Sequence, residues 1–147
     1  MPVRECDLCK ETQRRSLVMN KIITGNAIEV LKELPDCTAD CCITSPPYLG
    51  LRDYGVNGQI GLEKSVEAYI NRLTDIFREV RRVLKSDGTL WLNIGDSYAT
   101  SNYEYDNCKK KDLIGIPWIL AFALRNDGWY LRQDIIWEKP NAMPESV

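Results

Sequence analysis

Two consecutive prolines, Pro46 and Pro47, stand in the stretch Thr44-Ser45-Pro46-Pro47-Tyr48 that follows the short apolar run Cys41-Cys42-Ile43, and no other stretch limits the folding of this chain as strictly. Each proline ring locks one φ angle and removes one backbone donor, so a strand that reaches Ser45 must end there, with carbonyls that need partners elsewhere. Tyr48 follows, and then residues 49–61 (LGLRDYGVNGQIG), where Gly50, Gly55, Gly58 and Gly61 are spread among polar and aromatic side chains. A rigid strand end that presents a hydroxyl, fixed carbonyls and an aromatic ring, opening on a glycine-rich loop, suits the mouth of a site for something flat and polar.

The flanking pattern predicts an α/β layered sheet, mostly parallel. Lys21-Ile22-Ile23-Thr24 reads as a strand, Gly25-Asn26 as a turn, residues 27–34 as a helix stopped by Pro35, and Cys41 to Thr44 as the next strand of a parallel pair. After Ser65, a suitable N-cap, Val66, Tyr69, Ile70, Leu73, Ile76, Phe77, Val80, Val83 and Leu84 recur at three and four, the apolar stripe of a long helix. The opposite face carries Arg72, Arg78, Arg81, Arg82 and Lys85, which reads as solvated surface ahead of a phosphate contact. Lys85 to Gly88 reads as a turn and Thr89 to Ile94 as a buried strand that runs into Gly95-Asp96. If these two strands are parallel, Ser45 and Asp96 lie at their carboxyl ends, where open α/β sheets hold ligands. Residues 117–126 are apolar almost all round and predict a buried helix ended by Gly128, followed by a last strand over residues 130–138. Residues 1–18 are charged and without period, which predicts a flexible extension ahead of one domain over residues 19–147.

Composition narrows the chemistry. With 147 residues and 44% apolar content the chain can bury one ordinary core. It contains no apolar run long enough for a membrane and no signal peptide, so a soluble, cytoplasmic protein is expected, with no membrane partner. A net charge of −2 gives no general attraction to nucleic acid, and any DNA contact must come from local patches. The absence of histidine removes His-based triads, His general bases and imidazole metal sites. The six cysteines follow no framework spacing and read as mostly reduced thiols. Cys6-x2-Cys9 is half of a zinc-knuckle pattern without a second CxxC, and no metal is expected.

Residues 44–48 (TSPPY) resemble the (S/D/N)PP(Y/F/W) motif of amino methyltransferases. With Thr24-Gly25-Asn26-Ala27 and Leu34-Pro35-Asp36 before it, and residues 50–55 (GLRDYG), 88–98 (GTLWLNIGDSY) and 135–141 (IIWEKPN) after it, the chain is similar to the β-group of DNA amino methyltransferases, whose catalytic half precedes the cofactor half. The resemblance covers residues 19–147 and implies part of a Rossmann-like sheet that uses S-adenosylmethionine to methylate an exocyclic nitrogen. It implies catalytic roles for Ser45, Pro46, Pro47, Tyr48 and Asp96, cofactor contacts from Gly25 and Asn26, and substrate contacts from Arg52, Tyr54, Trp137 and Lys139. The partner it implies is double-stranded DNA with the target base flipped out. Ser45 at the first motif position leans toward N4 of cytosine over N6 of adenine.

Several of these residues have plainer fates. Ser-Pro-Pro-Tyr by itself is a rigid turn, Asp96 can cap the turn that follows it, a strand tryptophan such as Trp137 commonly packs in a core, and Arg52 and Tyr54 can simply steady their loop. The sequence also departs from the family: the FxGxG cofactor motif is missing, and Gly55-x2-Gly58-x2-Gly61 lacks the strand-then-helix setting such a turn requires. The expectation is therefore a catalytic half without its cofactor motif and target-recognition region, inactive alone. A missing cofactor half or a second copy would be its partner. The alternative is a non-catalytic fragment or DNA-interaction module.

Overall fold

The computed structural model describes residues 20–99 and 108–142. They form two compact units, one holding residues 20–46 and 71–93, the other residues 47–70, 94–99 and 108–142.

In the first unit, helix α1 (Ala27–Glu33) begins at Asn26, whose side-chain oxygen accepts from Ile28 N, and ends at Leu34, before Pro35. Strand β1 (Ala39–Thr44) pairs in parallel with β2 (Leu84–Leu92), with Cys41, Cys42, Ile43 and Thr44 opposite Thr89, Leu90, Trp91 and Leu92. The long helix α2 (Val66–Val83) connects them, and its Leu73, Phe77, Val80 and Val83 are buried at the three-and-four spacing read from the sequence. Removing each of these side chains from water stabilises the fold by about 1.5–3 kcal/mol. Two register steps along β1, from Ala39 to Cys41, face five along β2, from Leu84 to Thr89. The expected turn at Lys85 to Gly88 is thus held inside β2 as a bulge.

Arg82 is not the solvated cation its helical face suggested. Its guanidinium donates to the carbonyls of Leu31 (2.6 Å) and Leu34 (2.9 Å) and pairs with Asp36 and Glu79. It closes the carboxyl end of α1, where backbone acceptors lack helical partners.

The second unit is built around Leu49, Tyr69, Ile70, Ala99, Ile114, Ile116, Leu120 and Leu124. Residues 97–99 run antiparallel to residues 111–114, with Ile114 N donating to the carbonyl of Ser97 and Ala99 N to that of Asp112. Helix α3 (Ile116–Asn126) follows and stops at Gly128 (φ 101°), where Trp129 N donates to the carbonyl of Leu124.

Three expectations fail, for related reasons. Residues 21–24 and 130–138 are not strands; among the described residues the sheet contains β1 and β2 alone, and a strand without a neighbour leaves its backbone donors and acceptors unpaired. Ile136 is accordingly 86% exposed. Helix α3 is not buried all round either: Ile116, Leu120 and Leu124 face inward, while Trp118 (55% exposed), Ile119 and Phe122 face out. The Arg125 guanidinium lies 4.8 Å from the Phe122 ring and covers part of that outer face. Among the described residues no helix is long and apolar enough to cross a membrane.

Candidate active site

Ser45 leaves β1 at its carboxyl end and is exposed; one residue earlier the Thr44 carbonyl accepts from Asn93 N at 2.9 Å, the last rung between the two parallel strands. The parallel pairing expected for the two strand ends is therefore present. Gly25 and Asn26 lie in the same unit. The Asn26 side-chain oxygen is engaged with Ile28 N at 3.1 Å, and a Cβ at position 25 would come within 2.8 Å of Val30 Cγ2. Both residues shape the start of α1.

The last two residues of the motif, Pro47 and Tyr48, belong to the second unit, where their backbone is held atom by atom. The Tyr69 hydroxyl, on a side chain with 0% exposure, donates to the Pro47 carbonyl at 2.8 Å. Burial first, then the nearby acidic groups of Glu63 and Tyr48, push the Tyr69 phenol well above its ordinary range, so it remains a donor. Gly61 sits against the Tyr48 carbonyl: a Cβ there would lie 2.7 Å from that oxygen, and its φ of +94° is one that side chains rarely adopt. Its own carbonyl accepts from Gly50 N at 2.8 Å, and its N–H donates to Glu63 Oε2 at 2.7 Å. On the other side a Cβ at Gly95 would fall 2.7 Å from Cε2 of the Tyr48 ring, so the ring rests on bare backbone.

Asp96 and Ser97 complete this framework. Ser97 Oγ donates to the Leu49 carbonyl at 3.1 Å. Asp96 Oδ1 accepts from the backbone N–H groups of Ser97 (2.9 Å), Gly115 and Ile116 (both 3.0 Å), and Oδ2 accepts from Gly115 N. Gly115 stands at the N-cap of α3 and has no side chain to cap it, so a carboxylate reaching over from Asp96 satisfies the orphan donors and meets the positive end of the helix dipole.

The residues expected to meet substrate are arranged differently. Arg52 and Tyr54 point into solvent, while the backbone beneath them is clamped by one side chain: Gln59 donates from Nε2 to the Arg52 carbonyl and accepts at Oε1 from Tyr54 N, both at 2.6 Å. Trp137 (75% exposed) and Lys139 lie on an exposed segment instead of on the expected strand. The second unit thus gathers Pro47, Tyr48 and the Asp96 segment, and leaves Trp137 and Lys139 in solvent. Sequence reasoning missed Tyr69, Gly61, Gly95, Ser97 and Gln59. The signal available for Tyr69 was a polar-tipped aromatic inside an apolar stripe, since a buried tyrosine hydroxyl needs an acceptor.

Among the described residues no group of three or more Cys, Asp or Glu is placed to hold a metal ion, and Cys6 and Cys9 lie outside them. Cys41, Cys42 and Cys108 are free thiols, whereas Cys37 is disulfide-bonded. Burial, and secondarily Cys41, push the Cys42 thiol upward, away from thiolate chemistry.

Residues 39–147 match the DNA methylase family. The chain is 53% identical to the type II methyltransferase M.Cfr9I of Citrobacter freundii, across 86% of this chain and 48% of that protein. It is 52% identical to the type II methyltransferase M.SmaI of Serratia marcescens, across 95% of this chain and 53% of that protein. A Thermus thermophilus structure named as a DNA modification methylase superposes with a TM-score of 0.59 at 26% identity, covering 84% of this chain and 48% of the other. The chain spans about half the length of the curated relatives it matches.

Proposed function

We propose, from the premise that this chain belongs to the DNA methylase family matched over residues 39–147, that it is the amino-group-handling half of a site-specific DNA methyltransferase acting on N4 of cytosine in preference to N6 of adenine. The observation that carries the reading is the Pro47-Tyr48 backbone, whose carbonyls and ring are fixed by Tyr69, Gly61 and Gly95.

An exocyclic amino nitrogen is a poor nucleophile because its lone pair is delocalised into the ring. Two acceptors on its two N–H bonds, the Ser45 hydroxyl oxygen and the Pro46 carbonyl, draw the nitrogen toward tetrahedral geometry and localise that pair. Tyr48 stacks on the base, which has left the duplex because the nitrogen is out of reach inside it. Asp96 keeps lone-pair capacity on Oδ2 beyond the Gly115 N–H and serves as a hydrogen-bonding group, with its first duty at the start of α3. Arg52, Tyr54, Trp137 and Lys139 meet DNA and the extruded base from solvent.

S-adenosylmethionine supplies, when bound, a methyl group on a sulfonium. The residues expected to touch it here are mostly committed, since the Asn26 side-chain oxygen caps α1 and Gly25 packs against Val30. This chain by itself binds it weakly or not at all. Micromolar binding in a calorimetric titration of the isolated chain contradicts that statement. Ile43 (82% exposed) and Trp91 face the same side of the two-stranded sheet, and parallel sheets are ordinarily covered on both faces. A second copy is the partner proposed for that face; a monomer by light scattering at high concentration removes it.

The base assignment is tested by expressing an enzyme that contains this chain in a host without DNA methylation and analysing the hydrolysed DNA by mass spectrometry. N4-methylcytosine is expected. N6-methyladenine alone overturns the choice of base, and unmodified DNA supports the alternative of a non-catalytic fragment.

A further inference from the structure

Tyr69 interrupts the otherwise hydrocarbon stripe of α2, is fully buried, and spends its hydroxyl on the Pro47 carbonyl. The proposed chemistry assigns the preceding carbonyl, that of Pro46, to the target amino group, so the inference drawn here rests on that reading. The peptide planes before and after Pro47 are related by only two torsions. The Pro47 ring locks φ. What remains is ψ, and the oxygen that turns with ψ is the one Tyr69 holds at 2.8 Å. We infer that Tyr69 is a positioning residue: by fixing ψ of Pro47 it sets the direction in which the Pro46 carbonyl points.

Two features keep this hold in place. The Tyr48 carbonyl, one residue on, lies close against Gly61, whose own carbonyl is tied to Gly50 N at 2.8 Å, so a turn of that peptide toward residue 61 meets backbone. The Tyr69 phenol keeps its proton because ionisation is opposed by burial and by the acidic groups of Glu63 and Tyr48. A phenylalanine would fill the same space. The hydroxyl is therefore needed for the bond and not for packing.

The test is Tyr69→Phe, read in two ways. In this chain, with carbonyl carbon-13 at Pro47, loss of the bond is expected to move the Pro47 carbonyl resonance upfield, and 4-aminophenylalanine at position 69, which restores a donor, is expected to move it back. In an enzyme that contains this chain, kcat for methylation is expected to fall about 10- to 100-fold, the scale of a small misplacement at the reacting centre, while KM for S-adenosylmethionine stays the same. A Pro47 resonance unchanged by Tyr69→Phe overturns the inference whatever the activity. A shifted resonance with unchanged kcat overturns it as well. Absence of methylation by the unsubstituted enzyme contradicts the proposed function instead, and the carbon-13 signal then decides by itself whether Tyr69 sets ψ of Pro47.

Discussion

Tyr48 and Arg52 stand four residues apart and are treated in opposite ways. Tyr48 has its carbonyl against the Gly61 backbone and its ring on Gly95, and the carbonyl before it is held by Tyr69. Arg52 and Tyr54 keep their side chains in solvent, and only the backbone under them is fixed, by Gln59. Under the proposed function, groups that polarise one nitrogen gain from being set in advance, because reorganisation at the moment of reaction is then avoided. Groups that meet a large charged partner gain from remaining in water until it arrives, since an unpaired cation is costly to bury.

Substitutions can break this contrast. The largest loss of stability is expected from Gly61→Ala, which forces a side chain into a φ of +94° and a Cβ within 2.7 Å of the Tyr48 carbonyl oxygen; about 2–3 kcal/mol is expected from urea unfolding. A variant as stable as the parent would show that the Tyr48 carbonyl is not held. Asp96→Ala comes next, at about 2 kcal/mol, because it strips the start of α3 of a charged acceptor. Its signature is faster hydrogen exchange at Gly115 and Ile116.

Alkali probes the same framework without a substitution. The Tyr69 phenol is raised above its ordinary value of 10.0 in the folded chain. Folding therefore favours the protonated form, and the stability this contributes is present below pH 10 and is lost as the pH rises from there toward the folded value. The urea midpoint is expected to hold between pH 7 and 9 and to fall above pH 10, with the Tyr69→Phe variant falling less. The smallest effect on stability is expected from Arg52→Ala, under about 0.5 kcal/mol, as for surface positions generally. Under the proposed function its effect is expected instead as weaker DNA binding by an enzyme that contains this chain, and an unfolding penalty comparable to that of Asp96→Ala would erase the contrast.

What could be read in the sequence follows from how local the cause was. The stripe of α2, the cap at Ser65 and the stop at Gly128 depend on neighbours three or four residues away, and they appear where the spacing puts them. The motif residues were legible through the double proline and the resemblance around it. Strands 21–24 and 130–138 were misread because an apolar, β-branched run specifies a strand only when another strand accepts its hydrogen bonds, and none does so here among the described residues. The outward face of α3 was misread because composition alone cannot tell an apolar helix with two covered faces from one with a single covered face. Tyr69, Gly95 and Ser97 act on residues 47 to 49 from about 20 to 50 positions away, a separation no local pattern encodes.

The most direct test of the account is amide hydrogen exchange on the chain without DNA. The account predicts that Gly50, Gly61, Gly115 and Ile116, whose N–H groups are bonded to the Gly61 carbonyl, Glu63 and Asp96, exchange slowly, and that Arg52 and Asp53 in the solvent-facing loop exchange quickly. Equal, fast exchange at both sets would contradict it, because the framework around Pro47 and Tyr48 would then not exist in the free chain.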